Sequence, residues 1–580
     1  MSRTVVRLSK SSARPNDRGI SVSQQTPTWR QRIDPVVFYV TGAIAIAFVV
    51  WGLVSTPSLG TASTSAQDWV ITNTGWFFVL TSTFFVIFVI WLAASKYGRI
   101  PLGDDGEKPE FNTVSWIAMM FSAGMGIGLM FYGVAEPLSH FVTPPPGTSE
   151  AQSDEAFQTA MATTMFHWAL HPWAIYAVVG IAIAYGTFRK GRSQLISSAF
   201  RPLIGAKADG PVGRVIDILA IFATLFGSAA SLGLGALQIG GGLKYNGWVD
   251  QPGKVVLVAI IVVLTIAFIF SAVSGVAKGI QWLSNTNMVL ALTLAAFVFV
   301  AGPTLLILNL LPTALGDYAS QMTEMASRTA ASGDDEMKSW LADWTIFYWA
   351  WWVSWTPFVG MFIARISRGR TIRQFVTGVL IVPSLVSLVW FAVFGGTAID
   401  IQRRTGDLVD AAGSVDSDSA LFQMLDQLPI ASVTTVLVMV LVGIFFVSGA
   451  DAASIVMGTL SEKGSTEPSK RSVVFWGTVM GGVAAIMLII GGNDALAGLQ
   501  KITIVAAVPF VLVMAALCVS LYKDLQTDPM VVRDRLGQEM VEDAVLTGVE
   551  EHDGEFVLVV EAAEPSPPGS DAPRTTDDRG

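Results

Sequence analysis

Residues 121–133 read FSAGMGIGLMFYG, an apolar stretch interrupted by four glycines at 124, 126, 128 and 133. Each glycine destabilises a helix by about 1 kcal/mol relative to alanine. Alternating glycines do not form the small-residue face that packs two membrane helices together, because that face needs a spacing of four. Unwound backbone survives in a bilayer only where it lines a cavity. The stretch therefore predicts a membrane helix that is broken at a binding site, with close helix packing as the alternative.

The composition of the whole chain agrees with a membrane setting. Of its 580 residues, 52% are hydrophobic and 14% are charged, whereas about 25% are charged in an ordinary soluble protein. The net charge of −9 argues against nucleic acid as the main partner. A single cysteine, Cys518, excludes a disulfide framework, and four histidines are too few for a histidine-rich metal centre. We expect an all-α polytopic membrane protein.

Apolar runs long enough to cross a bilayer, which takes about 20 residues, recur about twelve times. The predicted spans are 36–54, 76–95, 113–134, 157–187, 216–240, 254–275, 285–311, 343–364, 374–398, 432–460, 472–491 and 501–522. With the N-terminus in the cytoplasm, 29 of the 36 Lys and Arg residues fall on the inner side. This asymmetry predicts that both termini are cytoplasmic.

The spans divide the chain into a transmembrane domain, 36–522, and two cytoplasmic tails. The basic tail, 1–35, is either a disordered topology determinant or a segment that binds anionic lipid of the inner leaflet. The tail at 523–580 is acidic, and 528–548 within it allows a short amphipathic helix. The connection at 312–342 is too polar to span, so it is either a helix lying flat on the outer surface or a loop.

A second irregular span lies at 343–362, DWTIFYWAWWVSWTPFVGMF, where Pro357 cannot donate to the helix ladder and Gly360 follows. The two irregular spans are the third and the eighth. If the helices at 36–95 are accessory, each irregular span begins a set of five, at 113–311 and 343–522. Sets with an odd number of spans have inverted topology, and paired interrupted helices indicate the binding site of a transporter.

Aromatic residues are dense in the same places. Four of the 18 tryptophans lie within a stretch of seven residues of the eighth span, and the fourth span, which Pro172 is expected to bend, adds three rings; these are Trp349, Trp351, Trp352, Trp355, Trp168, Trp173 and Tyr176. Tryptophans near span ends fit an interfacial belt, and these are Trp51, Trp69, Trp76 and Trp340. The deep cluster favours a quaternary ammonium ligand, which has no N–H and is held by cation–π contacts of about 0.5–2 kcal/mol each.

Four polar residues inside the spans have open roles. His167 and His171 are spaced as a metal-binding pair on one helix face, but local hydrogen bonding around Pro172 is the preferred interpretation. Asp451 favours a hydrogen bond into the neighbouring broken helix over proton coupling. Glu136, at the end of the third span, is a candidate for capping or gating.

Several of these segments resemble the betaine/carnitine/choline transporter family, and especially the sodium-coupled glycine betaine carriers of actinobacteria. The resemblance covers the third to twelfth spans. The matching stretches are PEF at 109–111, SWIAMMFSAGMGIGLMFYGVAEP at 115–137, FHWALHPWAIYA at 166–177, GSAASLGLGALQIG at 227–240, TIFYWAWWVSWTPFVGMFIARISRGRTI at 345–372 and FFVSGADAAS at 445–454.

The resemblance implies a LeuT-like five-plus-five inverted repeat after two extra helices, in a bacterial inner membrane and often as a homotrimer. It implies an aromatic box of Trp168, Trp173, Tyr176 and Trp352, with Trp355 beside it. Trp351 and Phe362 would line the inward path, and Ser231 would be a polar neighbour of the substrate. The unwound stretch 122–128, with Gly124, Gly126 and Gly128, would face the ligand.

The resemblance also implies sodium as the coupling ion and no other cofactor. One site would use the carbonyls of Ser122 and Met125 with Phe445 and Ser448. The other would use Thr224 and Ser228, with Phe358 nearby. Oxygen ligands suit a hard cation. Gly449 stands where sodium-coupled members carry a second hydroxyl residue, whereas the absence of Lys and Arg from 224–231 and 445–454 favours ion coupling over exchange.

We therefore expect a symporter that imports glycine betaine or a similar compatible solute by alternating access, not an enzyme. Choline-selective members resemble this pattern with an acid at the position of Gly128, which favours a zwitterion here. The alternatives are a choline/carnitine or ectoine/proline carrier with proton coupling or exchange, and, from another class, an osmosensing channel.

Overall fold

The computed structural model describes the backbone of residues 28–124, 126–274, 277–410, 413–491 and 494–552. It describes the side chains of the same residues, except those at 121–124, 274, 277–284, 551 and 552. Within these ranges the secondary structure is helical, and the pairing of extended backbone is confined to one isolated bridge, Pro101 with Thr371.

Eighteen helices form the body of the protein. They are α1 (Pro35–Val54), α2 (Thr56–Ala94), α3 (Thr113–Gly124), α4 (Ile127–Val142), α5 (Asp154–Trp168), α6 (Leu170–Ala184), α7 (Pro211–Tyr245), α8 (Lys254–Ser274), α9 (Ala277–Ala301), α10 (Thr304–Ser327), α11 (Asp335–Leu341), α12 (Phe347–Ile366), α13 (Ile372–Thr405), α14 (Ala420–Asp426), α15 (Ala431–Ser461), α16 (Lys470–Ile490), α17 (Ala495–Gln526) and α18 (Pro529–His552). Short helical turns join them at Trp29–Arg32, Lys96–Arg99, Tyr185–Arg189, Ser197–Phe200, Arg201–Ile204, Gly205–Asp209 and Ala342–Ile346.

The number of membrane-spanning helices agrees with the prediction. Nine helices of the described chain are long and apolar enough to cross a membrane, or ten if the bent pair α9–α10 counts as one span. The broken pair α3–α4 and the tryptophan-rich α12 lie outside that count, because α3 and α4 are only 12 and 16 residues long and indole rings lower the hydropathy of α12. Together they account for the twelve predicted spans.

The two largest errors in the predicted boundaries are in the second and seventh spans. The second span begins at Thr56, not at 76, because hydroxyl groups in its first half bond back to the helix, as Ser63 Oγ does to Leu59 O at 2.7 Å. The seventh span ends at Ala301, not at 311, where α9 turns by 109° into α10 around Gly302 and Pro303. The connection at 312–342 is helical in α10, up to Ser327, and in α11, whereas its placement flat on the outer surface stays a prediction.

The expected interruption of the eighth span is also wrong. The helix α12 runs without a break from Phe347 to Ile366 through Pro357. Proline removes only one N–H from the ladder, and the close packing of α12 on α6 offsets that loss. At this contact a Cβ on Gly360 would lie 2.8 Å from Val179 Cγ1.

The contacts between helices follow the symmetry expected of the two predicted repeats, in which spans three to seven correspond in order to spans eight to twelve. The eighth span, α12, packs on α6 of the fourth span, and the ninth, α13, packs on α4 of the third. The fifth and tenth spans, α7 and α15, pack on each other, and so do the sixth and eleventh, α8 and α16. The repeat boundaries at 113–311 and 343–522 stay predictions.

Both ends of the transmembrane domain lie at one face. The N–H of Asp34, which precedes α1, donates to Ser461 O at the end of α15 at 2.8 Å. The carboxylate of Asp34 pairs with Arg214 at the start of α7, with 3.0 Å between Oδ2 and Nε. Near the end of α17, Ser520 Oγ donates to Ala199 O, in the segment that leads to α7, at 2.7 Å. The predicted helix at 528–548 is present as α18.

Candidate functional site

The third span is broken where the glycines predicted it. The helix α3 ends at Gly124, Gly126 is extended with φ −162° and ψ −175°, and α4 begins at Ile127. Any residue can adopt that backbone conformation, so the conformation of residue 126 does not demand glycine. At residue 128 there is room only for glycine, because a Cβ there would lie 2.7 Å from Trp351 Cη2 and 2.9 Å from Trp168 Cη2.

The fourth span is broken as well, between α5 and α6 at Ala169, where φ is −102° and ψ is −108°. Pro172 has no N–H to donate to the carbonyl of Trp168, four residues earlier. Ser387 Oγ of α13 donates to that carbonyl instead, at 3.0 Å. The break turns the fourth span so that Trp168 ends one helix while Trp173 and Tyr176 lie on the next.

A cavity lies between the broken third span, the fourth span, α12 and α13. Its lining residues are Gly126, Gly128, Leu129, Trp168, Pro172, Trp173, Tyr176, Trp351, Trp352, Trp355, Pro383, Val386 and Ser387. The four residues of the implied aromatic box all line this cavity. Trp355 lines it too, as does Trp351, which the resemblance placed on the inward path.

The rings around the cavity are in contact with one another. Trp352 is central: its ring stacks on that of Trp351, with centroids 4.7 Å apart and planes 15° apart, and meets that of Trp168 edge-on at 4.9 Å. The Tyr176 ring lies 6.3 Å from that of Trp352 and 5.5 Å from that of Trp173. Contacts of this kind hold the rings as one aromatic wall.

Three indole N–H groups of this wall, all on α12, donate to the protein. Trp352 Nε1 donates to His167 O at 3.0 Å, and Trp355 Nε1 donates to Gly227 O at 3.0 Å. Trp351 Nε1 donates to Ser231 Oγ at 3.1 Å. Because an indole has no other polar atom, these bonds fix the ring edges and leave the carbon faces for a ligand.

Some predicted site residues lie away from the cavity. Ser231 is buried behind Trp351, where its hydroxyl accepts from the indole and donates to Gly227 O at 3.2 Å. Phe362 is half-buried on α12 and does not line the cavity. Gly124 ends α3 immediately before the break, but its surroundings lie outside the described side chains.

The first implied sodium site is described only on one side. Met125 lies outside the described residues, and so does the side chain of Ser122. On α15, Phe445 is buried, and Ser448 Oγ donates to Phe445 O at 3.3 Å. The helices α4 and α15 pack on each other.

The second implied sodium site lies between α7 and α12, which are in contact. Thr224 is buried on α7, and its Oγ1 donates to Ala220 O at 2.9 Å. Ser228 is buried one turn later on the same helix, and Phe358 is half-buried on α12. The two hydroxyl groups thus lie on one helix face, four residues apart.

A carboxylate that sequence analysis placed at a helix end lies instead inside a buried network. Glu136 of α4 is 0% exposed. Its Oε2 accepts from Trp168 Nε1 at 2.6 Å and from Tyr348 OH at 2.5 Å. Its Oε1 lies 2.7 Å from His167 Nδ1, whose Nε2 contacts Thr345 Oγ1 at 3.0 Å. The sequence feature that could have indicated this network is an acidic residue in an apolar stretch, shortly after the glycines of the third span.

The two histidines spaced as a metal pair have separate surroundings. His167 bonds to Glu136, whereas His171 stacks on Trp349 with ring centroids 4.8 Å apart. The preferred interpretation, local bonding around Pro172, is wrong for both. His140 joins Glu136 and His167 in a group whose nearest ligand atoms lie within 4.8 Å of one another.

Two other expectations need correction. Asp451 accepts from Ser271 Oγ of α8 at 2.9 Å, so its partner is the sixth span and not the broken helix. Trp340 is 8% exposed beneath the guanidinium of Arg328, whereas Trp51, Trp69 and Trp76 are exposed as an interfacial belt requires.

Comparisons with known proteins identify the family. The model of the betaine/carnitine/choline family transporters matches residues 36–530. The betaine/ectoine transporter LcoP of Corynebacterium glutamicum is 46% identical over 546 residues, which are 94% of this chain and 86% of that protein. The glycine betaine transporter OpuD of Bacillus subtilis is 46% identical over 492 residues, which are 85% of this chain and 94% of that protein.

Among solved structures, that of a Na+-coupled sialic acid symporter covers 76% of this chain and 85% of its own, with a TM-score of 0.40 and 12% sequence identity. That similarity is too distant to bear on the substrate or the ion. The family match and the identities to LcoP and OpuD are decisive, since both extend over most of the chain. The chain belongs to the betaine/carnitine/choline family of transporters, and it is a transporter rather than an enzyme.

Proposed function

We propose that this protein is a secondary symporter that imports glycine betaine or a similar compatible solute, driven by a sodium gradient, across a bacterial inner membrane. The observation that carries the proposal is the cavity at the broken third span, walled by Trp168, Trp173, Tyr176 and Trp352. The names of the two relatives at 46% identity, one for betaine and ectoine and one for glycine betaine, support the same substrate class.

The cavity suits a trimethylammonium group by its chemistry. A quaternary ammonium offers no hydrogen-bond donor, and several desolvated aromatic faces attract it by about 0.5–2 kcal/mol each. The indole N–H groups of Trp351, Trp352 and Trp355 are already bonded to protein acceptors. A ligand that needed them as donors would have to break those bonds.

The start of α4 supplies a complement for the other end of a zwitterion. The first N–H groups of a helix have no partners within the helix, and the helix dipole places partial positive charge there. Gly126 and Gly128, at this helix start, line the cavity. We propose that the substrate carboxylate binds these N–H groups.

Sodium coupling rests on the oxygen atoms that two helix pairs can offer. Thr224 and Ser228 carry hydroxyls on α7, which contacts α12, and Ser448 carries one on α15, which contacts α4. We propose that one sodium ion binds between α7 and α12 and that another binds between α15 and α4. Thr224→Ala should reduce the apparent sodium affinity more than it reduces the affinity for substrate.

The test is uptake by the purified protein in proteoliposomes. An inward sodium gradient should drive accumulation of labelled glycine betaine above equilibrium, and a potassium gradient of the same size should not. Unlabelled choline, carnitine, ectoine and proline, added as competitors, define the substrate range. Equal uptake under both gradients would contradict sodium coupling, and efflux down any imposed substrate gradient without uphill accumulation would indicate a channel.

A further inference from the structure

Glu136 is a buried membrane carboxylate whose role the proposed function leaves unexplained. It lies on α4, ten residues after the break at Gly126, and is fully buried. Charge within a membrane is expensive, so such a residue is retained for structure or function. Among the described residues, the ion-pair partners of Glu136 are histidines, His140 and His167, and neither Lys nor Arg pairs with it.

The hydrogen bonds around Glu136 fit a carboxylate that accepts from three donors. Trp168 Nε1 can only donate, and it does so to Oε2. Tyr348 OH donates to the same oxygen, and His167 Nδ1 bonds to the other. A deprotonated carboxylate accepts from all three partners when the proton of a neutral His167 lies on Nδ1. In that arrangement His167 Nε2 accepts from Thr345 Oγ1, and the negative charge lies on Glu136.

This charge acts on the cavity through a single ring. The indole of Trp168 touches Glu136 with its N–H edge, 2.6 Å from Oε2. The opposite corner of the same indole, Cη2, lies 2.9 Å from where a Cβ of Gly128 would be. An anion at the positive edge of an aromatic ring polarises it and makes its face more negative, because the ring quadrupole has a positive edge and a negative face.

The same carboxylate ties together three of the four spans that form the cavity. Glu136 lies on the third span, Trp168 on the fourth and Tyr348 on the eighth. His167 adds a second link to the fourth span, and its carbonyl receives the N–H of Trp352. The orientations of Trp168 and Trp352 therefore both depend on bonds that begin at Glu136.

We infer that Glu136 is a positioning residue for the aromatic cage, which orients Trp168 and serves as the buried counter-charge that strengthens attraction for a quaternary ammonium. The inference rests on the proposed function, since it concerns the affinity of the same cavity. Glu136 does not line the cavity, so it acts through Trp168 and not by contact. A ligand of the same shape with an uncharged tert-butyl group in place of the trimethylammonium gains little from this charge.

The experiment measures equilibrium binding of labelled glycine betaine to the purified full chain in sodium chloride. Glu136→Gln keeps the shape and removes the charge, and we expect its affinity to fall about tenfold, the effect of a lost cation–π contribution. Glu136→Asp keeps the charge and should bind more tightly than the Gln variant. Asp451→Asn, which removes a buried membrane carboxylate bonded to α8, is the matched control and should bind as the wild type does.

A second ligand distinguishes an effect of the ligand's positive charge from an effect of its shape. The carbon isostere 3,3-dimethylbutanoate has a tert-butyl group in place of trimethylammonium, and Glu136→Gln should change its affinity by less than about twofold. Wild-type affinity of the Gln variant for glycine betaine would overturn the inference. So would an Asp variant weaker than the Gln variant, or equal losses for both ligands. Failure of the wild type to bind glycine betaine would instead overturn the proposed function.

Discussion

Gly128 faces Trp351 and Trp168 so closely that a Cβ on residue 128 would lie 2.7 Å from Cη2 of Trp351 and 2.9 Å from Cη2 of Trp168. Real Cβ contacts are longer, so any side chain at residue 128 must displace one of the two rings. The glycine therefore sets how near the broken backbone comes to the aromatic wall. Gly128 thus brings together the broken third span and the aromatic wall, the two features that define the cavity.

Gly128→Ala should reduce glycine betaine uptake at least about tenfold, because overpacking moves Trp351 or Trp168 from its bonded position. Gly126→Ala is the matched control, since its Cβ would lie 3.9 Å from Trp355 in ordinary contact. The loss in that variant should be clearly smaller. Initial uptake rates in proteoliposomes compare the two, and equal losses would contradict the importance of this approach.

Trp352→Leu should raise the KM for glycine betaine about tenfold, because it removes the ring on which Trp351 and Trp168 converge. Trp349→Phe is the control: Trp349 is buried on the same helix but stacks on His171, outside the cavity. Its KM should stay at the wild-type value even if its melting temperature falls. A larger effect from Trp349 than from Trp352 would place the cage elsewhere.

Ser387→Ala should destabilise the protein, because it leaves the carbonyl of Trp168 without the donor that replaces the missing N–H of Pro172. An unsatisfied buried carbonyl costs about 1–3 kcal/mol. Ser384→Ala, one turn away on α13, removes a hydroxyl that bonds within its own helix, to Leu380 O, and should cost less. The melting temperatures of the detergent-solubilised variants test this. Identical melting temperatures for the two variants would contradict a stabilising role for the hydrogen bond from Ser387 to the carbonyl of Trp168.

Asp105→Asn should loosen the attachment of α18 to the membrane domain. Hydrogen bonds from Arg189 and Arg533 hold the pKa of Asp105 below its usual value of 3.8. A carboxylate with a lowered pKa stabilises the folded state above its unfolded pKa, and this contribution is lost as the pH falls through the folded pKa. Asp105 therefore contributes at neutral pH, and the contribution disappears in acid below about pH 4.

Hydrogen exchange of the amides in α18 measures this attachment. At neutral pH, Asp105→Asn should exchange faster than the wild type, and Asp104→Asn, which removes a neighbouring acid that has no described ion pair, should not. In acid the wild type should approach the Asp105 variant. If the amides of α18 exchange at the same rate in the wild type and in both variants, the helix is held by other contacts.

The sequence predicted the parts of the site that follow local rules. Alternating glycines at 124–128 indicated the break, and the dense tryptophans of the eighth span indicated the aromatic wall. The break in the fourth span was indicated by Pro172, although it lies three residues earlier, at Ala169. Proline acts on the carbonyl four residues before it, so the position of the bend differs from the position of the residue that causes it.

Other features depend on distant contacts that no local pattern encodes. Pro357 does not interrupt α12, because packing on Val179 and its neighbours offsets one missing hydrogen bond. The 109° turn between α9 and α10 lies inside a run that is apolar throughout, so hydropathy alone gave the seventh span a false end. Trp340 satisfied the rule for an interfacial belt by its place in the sequence, yet it is buried beside Arg328.

The sequence by itself determined the medium and the number of spans and indicated the class of ligand that we propose, since composition, hydropathy and residue type are properties of the chain before it folds. Only the tertiary structure decided which side chains meet. Glu136 lies 31 residues from His167 and 212 from Tyr348 along the chain, yet it bonds to both. A buried carboxyl group requires hydrogen-bond partners, and only packing of the third, fourth and eighth spans brings these partners to one point.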